Sequence, residues 1–479
     1  MIARQLAAWA TGPLDIADQV QAAALRHLLD GLGTALGALR TGAVEPALTV
    51  ARELGGPPEA VVLGDRRLLG APAAALANGA LVHGLDFDDT HAGGLIHATA
   101  VVLPAALGVG QQTRASGAEV LAAAVAGYET ACRVAAAAPY GFHARGLHAT
   151  MVGGVFSSAI VAARLMGLDP ERTTSALGIA GSQAGGLLAF LGTGASTKQL
   201  HPGFASQAGI LSARLAAAGA SGPDTVFDGP HGVYDALAAG PVDRASVVDA
   251  LGSRWELMRI GIKPYAACQL SHASIEGTRA AVAQGGFGAD DVVEVVAEVH
   301  PDSAIVVCDD SRDLSRPASP YAAKFSLPWS VAALLRDGEI TLDTFSEASI
   351  ARPDVGELAR RVRWTLLPAP STVAADAPGR VVVRLRDGRE LIGEVTRSSG
   401  GGDFPLSDED LFAKFQGNAG GDPALASAVA ERVAGLSGAE SLTGLLEAVA
   451  QVADQYTDRA GSLDQGAAVL NTAVARGSR

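Results

Sequence analysis

The apolar residues of this chain change their spacing twice along its length, and those two changes limit the folds open to it. From the N-terminus to about residue 260 they recur at helical intervals in one segment after another. Near residue 290 the pattern becomes that of strands. "DVVEVVAEVH" (291–300) is rich in valine and half-alternating. "RVVVRLRDGRELIGEVT" (380–396) alternates on both sides of Asp387-Gly388, a hairpin signal. Helical spacing returns at Ser407. A chain of 479 residues exceeds what one simple core serves. The pattern predicts a mainly α protein with an α+β unit over about 265–395, and a helical tail that can rejoin the first helices.

Local signals agree. Ser116-Gly-Ala-Glu119 reads as a capping box, and Asp169-Pro170 as a cap followed by a proline at the first helical position. "AVVLGDRRLL" reads as a small hairpin around Gly64-Asp65, "KFSLPWSVAALL" as a helix entry, and 398–403 ("SSGGGD") as a linker. The chain has 58 glycines, only 5% aromatic residues, and apolar content that is mostly Ala, Val and Leu. Small side chains at this density favour closely packed helices.

A formal net charge of −14 argues against general binding to nucleic acid or membrane surfaces, but not against an anionic substrate, which needs only local cations. Cys132, Cys268 and Cys308 are too sparse for a disulfide framework and too scattered for most cluster motifs. Buried thiols are the simpler reading. No run of about eighteen apolar residues lacks a charge or a breaker. The first residues carry no convincing signal-peptide core, so a cytoplasmic protein is expected.

The chemistry concentrates in a few segments. In His83-Gly-Leu-Asp-Phe-Asp-Asp-Thr-His91, Asp86, Asp88 and Asp89 lie between two histidines at the end of the apolar stretch "AAALANGALV", and His97 follows beyond Gly93-Gly94. Three readings stay open: a metal site using Asp86, Asp89 and His91, an acid–base site, or a solvated turn that caps a helix. "RGLHATMVGG" places His148 before a small-residue helix, either as a cap or beside an anion held by Thr150 and the following amides. His143 is a weaker candidate. "GTGASTKQLHPG" ends a glycine-rich loop on Lys198, with His201 near, but Thr197 before the lysine breaks the phosphate-loop motif. The lysine serves a carboxylate or sits on the surface. "GIKPYAACQLSH" puts Lys263 at the suspected domain boundary, as a cleft or a linker residue, and His272 at the start of the next helix.

Taken together and in order, these segments resemble the MmgE/PrpD family, as do "AKFSLPWSVA" and "PLSDEDLFAKF". The resemblance runs over most of the chain. It implies a large all-helical domain built from residues 1–262 and 397–479, with 263–396 as a smaller α+β lid. It carries the family's site onto Asp86, Thr90, His97, His148, Lys198 and Lys263, and implies a homodimer with no cofactor and no metal. Two positions depart from the family: Ala98 follows His97 where proline is common, and Trp329 stands where tyrosine is common. Trp329 either narrows the cleft as a substrate-binding residue or packs beneath the lid.

In that frame Lys198 and Lys263 bind carboxylates and stabilise an enolate, His97 and His148 move protons, Asp86 orients one of them, and Thr90 and His272 join the substrate contacts. The expected function is a lyase, first a dehydratase of a 2-methylcitrate-like acid. The alternatives are an epimerase of a dicarboxylate such as iminodisuccinate, a cis-aconitate-type decarboxylase, and a non-catalytic family member.

Overall fold

In the computed structural model, which describes residues 1–368 and 372–456, four largely buried helices form the centre of the larger, helical part. They are Ala71–His83, Thr99–Thr113, Ala149–Leu165 and Thr197–Ala217. All of Ala71–His83 is buried except Pro72, so it has no polar face and must be surrounded by other helices. Glycine lets the backbones touch. A Cβ on Gly79 would lie 2.5 Å from the Gly203 nitrogen, and one on Gly203 would lie 2.2 Å from the Leu76 carbonyl oxygen. Gly154 packs in the same way against Val101 and Ala205, and Gly209 against Ser158. The two helices that cross at Gly79 and Gly203 run antiparallel. Their crossing brings the end of the first, just before Asp86, to the start of the second, at Lys198.

The expected local signals are present. Ser116 and Glu119 form a capping box on helix Gly117–Ala136, Asp169 caps Pro170–Gly181, and Ser326 caps Leu327–Asp337. Strands Ala60–Val61 and Leu68–Leu69 form the small hairpin. The three cysteines are buried and free. No helix among the described residues is long and apolar enough to cross a membrane.

The sheet has four strands in the order Val362–Leu366, Val292–Val299, Gly379–Leu385, Glu390–Val395. The first pair is parallel and the others antiparallel, with Gly388 at φ 88° in the hairpin turn. Helix His272–Val282 lies so close to the last two strands that a Cβ on Gly393 would meet the Gly277 carbonyl oxygen at 1.9 Å. The chain passes between the helical and sheet-containing parts twice, near 260–264 and near 398–404. The two passages run side by side, and a Cβ on Gly261 would lie 2.6 Å from the Gly400 carbonyl oxygen. The second is packed rather than loose, since Gly400, at φ 84°, meets the Ile262 carbonyl oxygen. Beyond it, helix Asp408–Ala419 returns to helix Asp18–Thr41 and seats Phe415 against Gly33.

Substituting Gly203 tests the helix crossing. Gly203→Ala inserts a methyl group into a backbone contact and is expected to destabilise the fold by about 1–3 kcal/mol. It should also lower activity, because Lys198 lies on the same helix. Gly417→Ala, with open space at its Cβ, is expected to be neutral or slightly stabilising. Urea unfolding midpoints for the two variants check this pair, and equal midpoints would contradict the packing described.

Candidate active site

Helix Ala71–His83 ends in a turn that is held from outside. Asp86 sits at φ 51°, a left-handed conformation that aspartate tolerates better than most residues. Side chains from three distant segments and one near one hold the carbonyl oxygens of this turn: Gln199 Nε2 donates to Gly84 (2.6 Å), Lys263 Nζ to Asp86 (2.9 Å), Lys414 Nζ to Phe87 (2.8 Å) and, from close by, His97 Nδ1 to Asp89 (2.8 Å). Asp86, Asp88 and Asp89 are completely buried, which removes the solvated-turn reading.

Each carboxylate has its own partners. Asp89 accepts from the Thr99 amide and hydroxyl and lies 2.9 Å from His27, while Asp88 lies 2.8 Å from His83 Nδ1. His91 turns away to Glu256 at 3.1 Å. Asp86 is the acid that borders the cavity described below. Its Oδ1 is 2.5 Å from Lys198 Nζ and 3.3 Å from Lys263 Nζ. Burial alone would raise the Asp86 pKa, but the two ammonium groups overcome it and hold the carboxyl well below its ordinary value. Burial likewise opposes the charge on Lys263, and Asp86 more than restores it. Lys198 lies in the first turn of its helix and is buried, so it is neither a loop residue nor a surface one.

Two of the histidines, His97 and His148, resist protonation in the free site. His97 and His148 are both held well below the usual imidazole value, first by burial and then by the lysine charges. A carbonyl oxygen only accepts, so the His97 contact to Asp89 puts the hydrogen on Nδ1 and leaves a lone pair on Nε2. His148 stands at the N-cap position of helix Ala149–Leu165, but its side chain makes no capping hydrogen bond. Its Nδ1 lies 3.1 Å from His201 Nδ1 and its Nε2 lies 3.0 Å from the Thr150 hydroxyl, which also accepts the His97 amide. Thr150 thus connects the two histidines. Thr90 Oγ1 lies 3.3 Å from His97 Nδ1. Ligand atoms of His83, His97 and His148 lie within 4.8 Å of one another, close enough to hold a metal ion, but two ammonium groups beside them oppose a dication.

A cavity of about 260 Å³ opens over this cluster. Asp86, Thr90, His97, His148, Lys198 and Lys263 all border it. Trp329 and His272 do not. Trp329 is fully buried in the core, with its indole N–H directed to the Thr344 carbonyl (3.4 Å). The segment sends Phe325 to the cavity instead. His272 starts its helix facing back into the preceding turn, with Nε2 3.0 Å from the Ala267 carbonyl oxygen and its ring against Tyr265. Cys268 and Gln269 from that turn reach the cavity. Lys414 and Gln199, which position the turn, lie inside "PLSDEDLFAKF" and "GTGASTKQLHPG" but nothing there singles them out, and Asp302, which also borders the cavity, lies outside all of these segments.

This arrangement can be set against known proteins. The chain matches the MmgE/PrpD N-terminal domain over residues 4–245 and the MmgE/PrpD C-terminal domain over residues 265–434. It belongs to the MmgE/PrpD family. Among curated MmgE/PrpD relatives, a cis-aconitate decarboxylase of Aspergillus terreus is 28% identical, covering 90% of this chain and 92% of its own length. A cis-aconitate decarboxylase-like protein of Aspergillus oryzae is 28% identical over 87% of this chain and 90% of its own. The human cis-aconitate decarboxylase is 30% identical over 72% of each. This MmgE/PrpD chain is therefore an enzyme of that family.

The buried histidines of this MmgE/PrpD protein make its stability depend on pH. His143 and His201 are lowered to about 4 and His272 to about 3, chiefly by burial, and His97 and His148 are lowered too. In the unfolded chain each takes up a proton near pH 6.5. Below that pH the unfolded state binds more protons, so this contribution is complete above about 6.5 and is lost as pH falls. Asp30, raised to about 6 by burial, and Glu129, also raised by burial, act in the opposite sense but are outnumbered by the five histidines. The melting temperature without substrate is expected to fall between pH 7.5 and 5. An unchanged or rising melting temperature across that range would contradict the neutral histidine cluster.

Proposed function

We propose that this enzyme is a cofactor-independent lyase that breaks a carbon–carbon bond in a small unsaturated carboxylic acid and releases carbon dioxide. The observation that carries this reading is the Lys198–Asp86–Lys263 cluster, with two ammonium groups sharing one carboxylate at the end of a largely apolar cavity. A substrate carboxylate supplies the missing negative charge. When the bond to a second carboxylate breaks, its electron pair enters an enolate on the retained carboxylate, where the lysines stabilise it. The departing group enters as an anion and leaves neutral, which apolar walls favour. A histidine then delivers a proton to carbon, so that one carboxylate and one proton become a C–H bond and carbon dioxide.

The proton supply follows from the charges. In the free site the lysines help keep His97 and His148 neutral. An incoming anion offsets the lysine charges, and His148, linked to Thr150 and His201, becomes easier to protonate. The curated relatives with decarboxylase names support carbon dioxide as the leaving group. The free lone pair on His97 Nε2 supports a second reading, dehydration of a 2-methylcitrate-like acid with His97 as the base. The two readings share the enolate and differ in the bond that breaks.

Incubation with cis-aconitate and with 2-methylcitrate, followed by mass spectrometry, separates them. Loss of carbon dioxide is expected, and loss of water would favour the second reading. Lys198→Ala and Lys263→Ala are each expected to lower kcat/KM by about 10²–10³-fold while the protein stays folded. Near-normal kinetics in both would remove the cluster from the mechanism. Binding of an unreactive dicarboxylate at pH 7 is expected to take up protons, measurable by calorimetry in buffers of different ionisation enthalpy. Turnover is expected to survive prolonged chelation. Its loss on chelation, with recovery on adding one divalent metal, would move the histidines to the role of ligands.

A further inference from the structure

We infer that the natural substrate carries an apolar substituent of several carbons where a citrate-type acid carries its third carboxylate. This rests on the lyase reading above and concerns only the shape and charge of what the site accepts.

Charge comes first. Among the described residues, Asp86, Lys198, Lys263 and Asp302 are the Asp, Glu, Lys or Arg residues that border the cavity, and no arginine joins them. Their formal charges cancel. Both lysines are already engaged with Asp86, so the cluster offers one uncompensated positive charge. Asp302 is negative and stands with Ile305 and Val306 on the short helix Pro301–Val307. A tricarboxylate would face one spare positive charge and one further negative one. A carboxylate removed from water without a partner is strongly disfavoured.

The walls supply what the charges do not. Leu188, Phe190, Leu191, Ile305, Val306 and Phe325 line the cavity beyond the lysines. The apolar surface begins at the charged end, where the Lys198 ammonium lies 5.2 Å from the Phe325 ring centre, and the Phe190 ring follows 6.5 Å further on. It continues outward to Ile305, which is 64% exposed. Leu188–Gly192 from the helical part and Pro301–Val307 from the sheet-containing part thus give the cavity apolar sides. A substrate with one carboxylate on the lysines, a second that leaves, and an alkyl group against these walls matches both the charge and the surface.

Unreactive saturated acids test binding apart from turnover. The dissociation constant of propane-1,2,3-tricarboxylate is compared with those of succinate and of succinates carrying methyl, propyl or hexyl groups. Affinity is expected to rise along the alkyl series, by at most about fourfold per buried methylene. The hexyl acid should bind at least tenfold tighter than the tricarboxylate. Ile305→Asp, at an exposed position where folding is not at stake, should remove most of the gain from the hexyl chain. Tighter binding of the tricarboxylate than of every alkyl acid would overturn the inference and leave the lyase reading intact. Affinity independent of chain length would overturn it too, and the apolar sides would then serve something other than substrate. Lys198→Ala is expected to weaken every acid. If it binds all of them as the unaltered protein does, the lysine cluster is not the carboxylate site, and both readings fall together.

Discussion

Asp86, shared between two buried lysines, is the interaction on which the site depends. Two ammonium groups and one carboxylate removed from water are stable only if each charge has close partners. Asp86 gives both lysines an oxygen, and its backbone carbonyl gives Lys263 a second one. The cluster still carries one more positive charge than negative. Removing Asp86 would leave two like charges side by side, and removing either lysine would leave a balanced pair with nothing to attract an anion. Burial first, and the same excess of charge second, hold the His97 and His148 pKa values down. Binding and proton supply are in this way consequences of one arrangement.

That arrangement follows from close packing between small residues. Gly79 and Gly203 let two helices cross at backbone distance, and the crossing fixes how far Asp86 stands from Lys198. A Cβ at either position would lie within 2.5 Å of a backbone atom of the other helix, so the two helix ends would have to shift apart. The abundance of alanine and glycine in this chain therefore bears on chemistry as well as on the core. Lys198 stands on one of these helices, His148 immediately before another, and Asp86 in the turn that follows a third, at a positive φ.

Much of this was legible in the sequence, and the reasons differ by level. The helices, the hairpins at Gly64-Asp65 and Asp387-Gly388 and the caps at Ser116, Asp169 and Ser407 are local, and local pattern determines them. The polar cluster was legible as well, because acids and histidines after a fully apolar helix cannot all be left unpaired. Direction was not legible. Trp329 and Phe325 lie one helical turn apart in a conspicuous segment, and only the packing of that segment decides that the phenyl ring reaches the cavity while the indole enters the core. His272 is similar: its position in the chain suggests the cleft, but the turn at Ala267 captures its ring. Lys414 and Gln199 act on carbonyl groups, and nothing in a side-chain motif reports a backbone acceptor far away in the chain.

Lys414 has a consequence for the order of events in synthesis. Its ammonium holds the Phe87 carbonyl and pairs with Asp30, across separations of more than three hundred residues. Lys263 reaches Asp86 across 177 residues. Loops of this length close late, after local helices have formed. A nascent chain can build the central helices while most of its length is still unmade, but the catalytic turn lacks its last tether until helix Asp408–Ala419 has left the ribosome. During that interval three buried acids and a cluster of histidines sit at the end of an apolar helix without their full set of partners. A chain shortened before residue 414 would keep every cavity residue proposed above to meet substrate and lack one that holds the turn in shape.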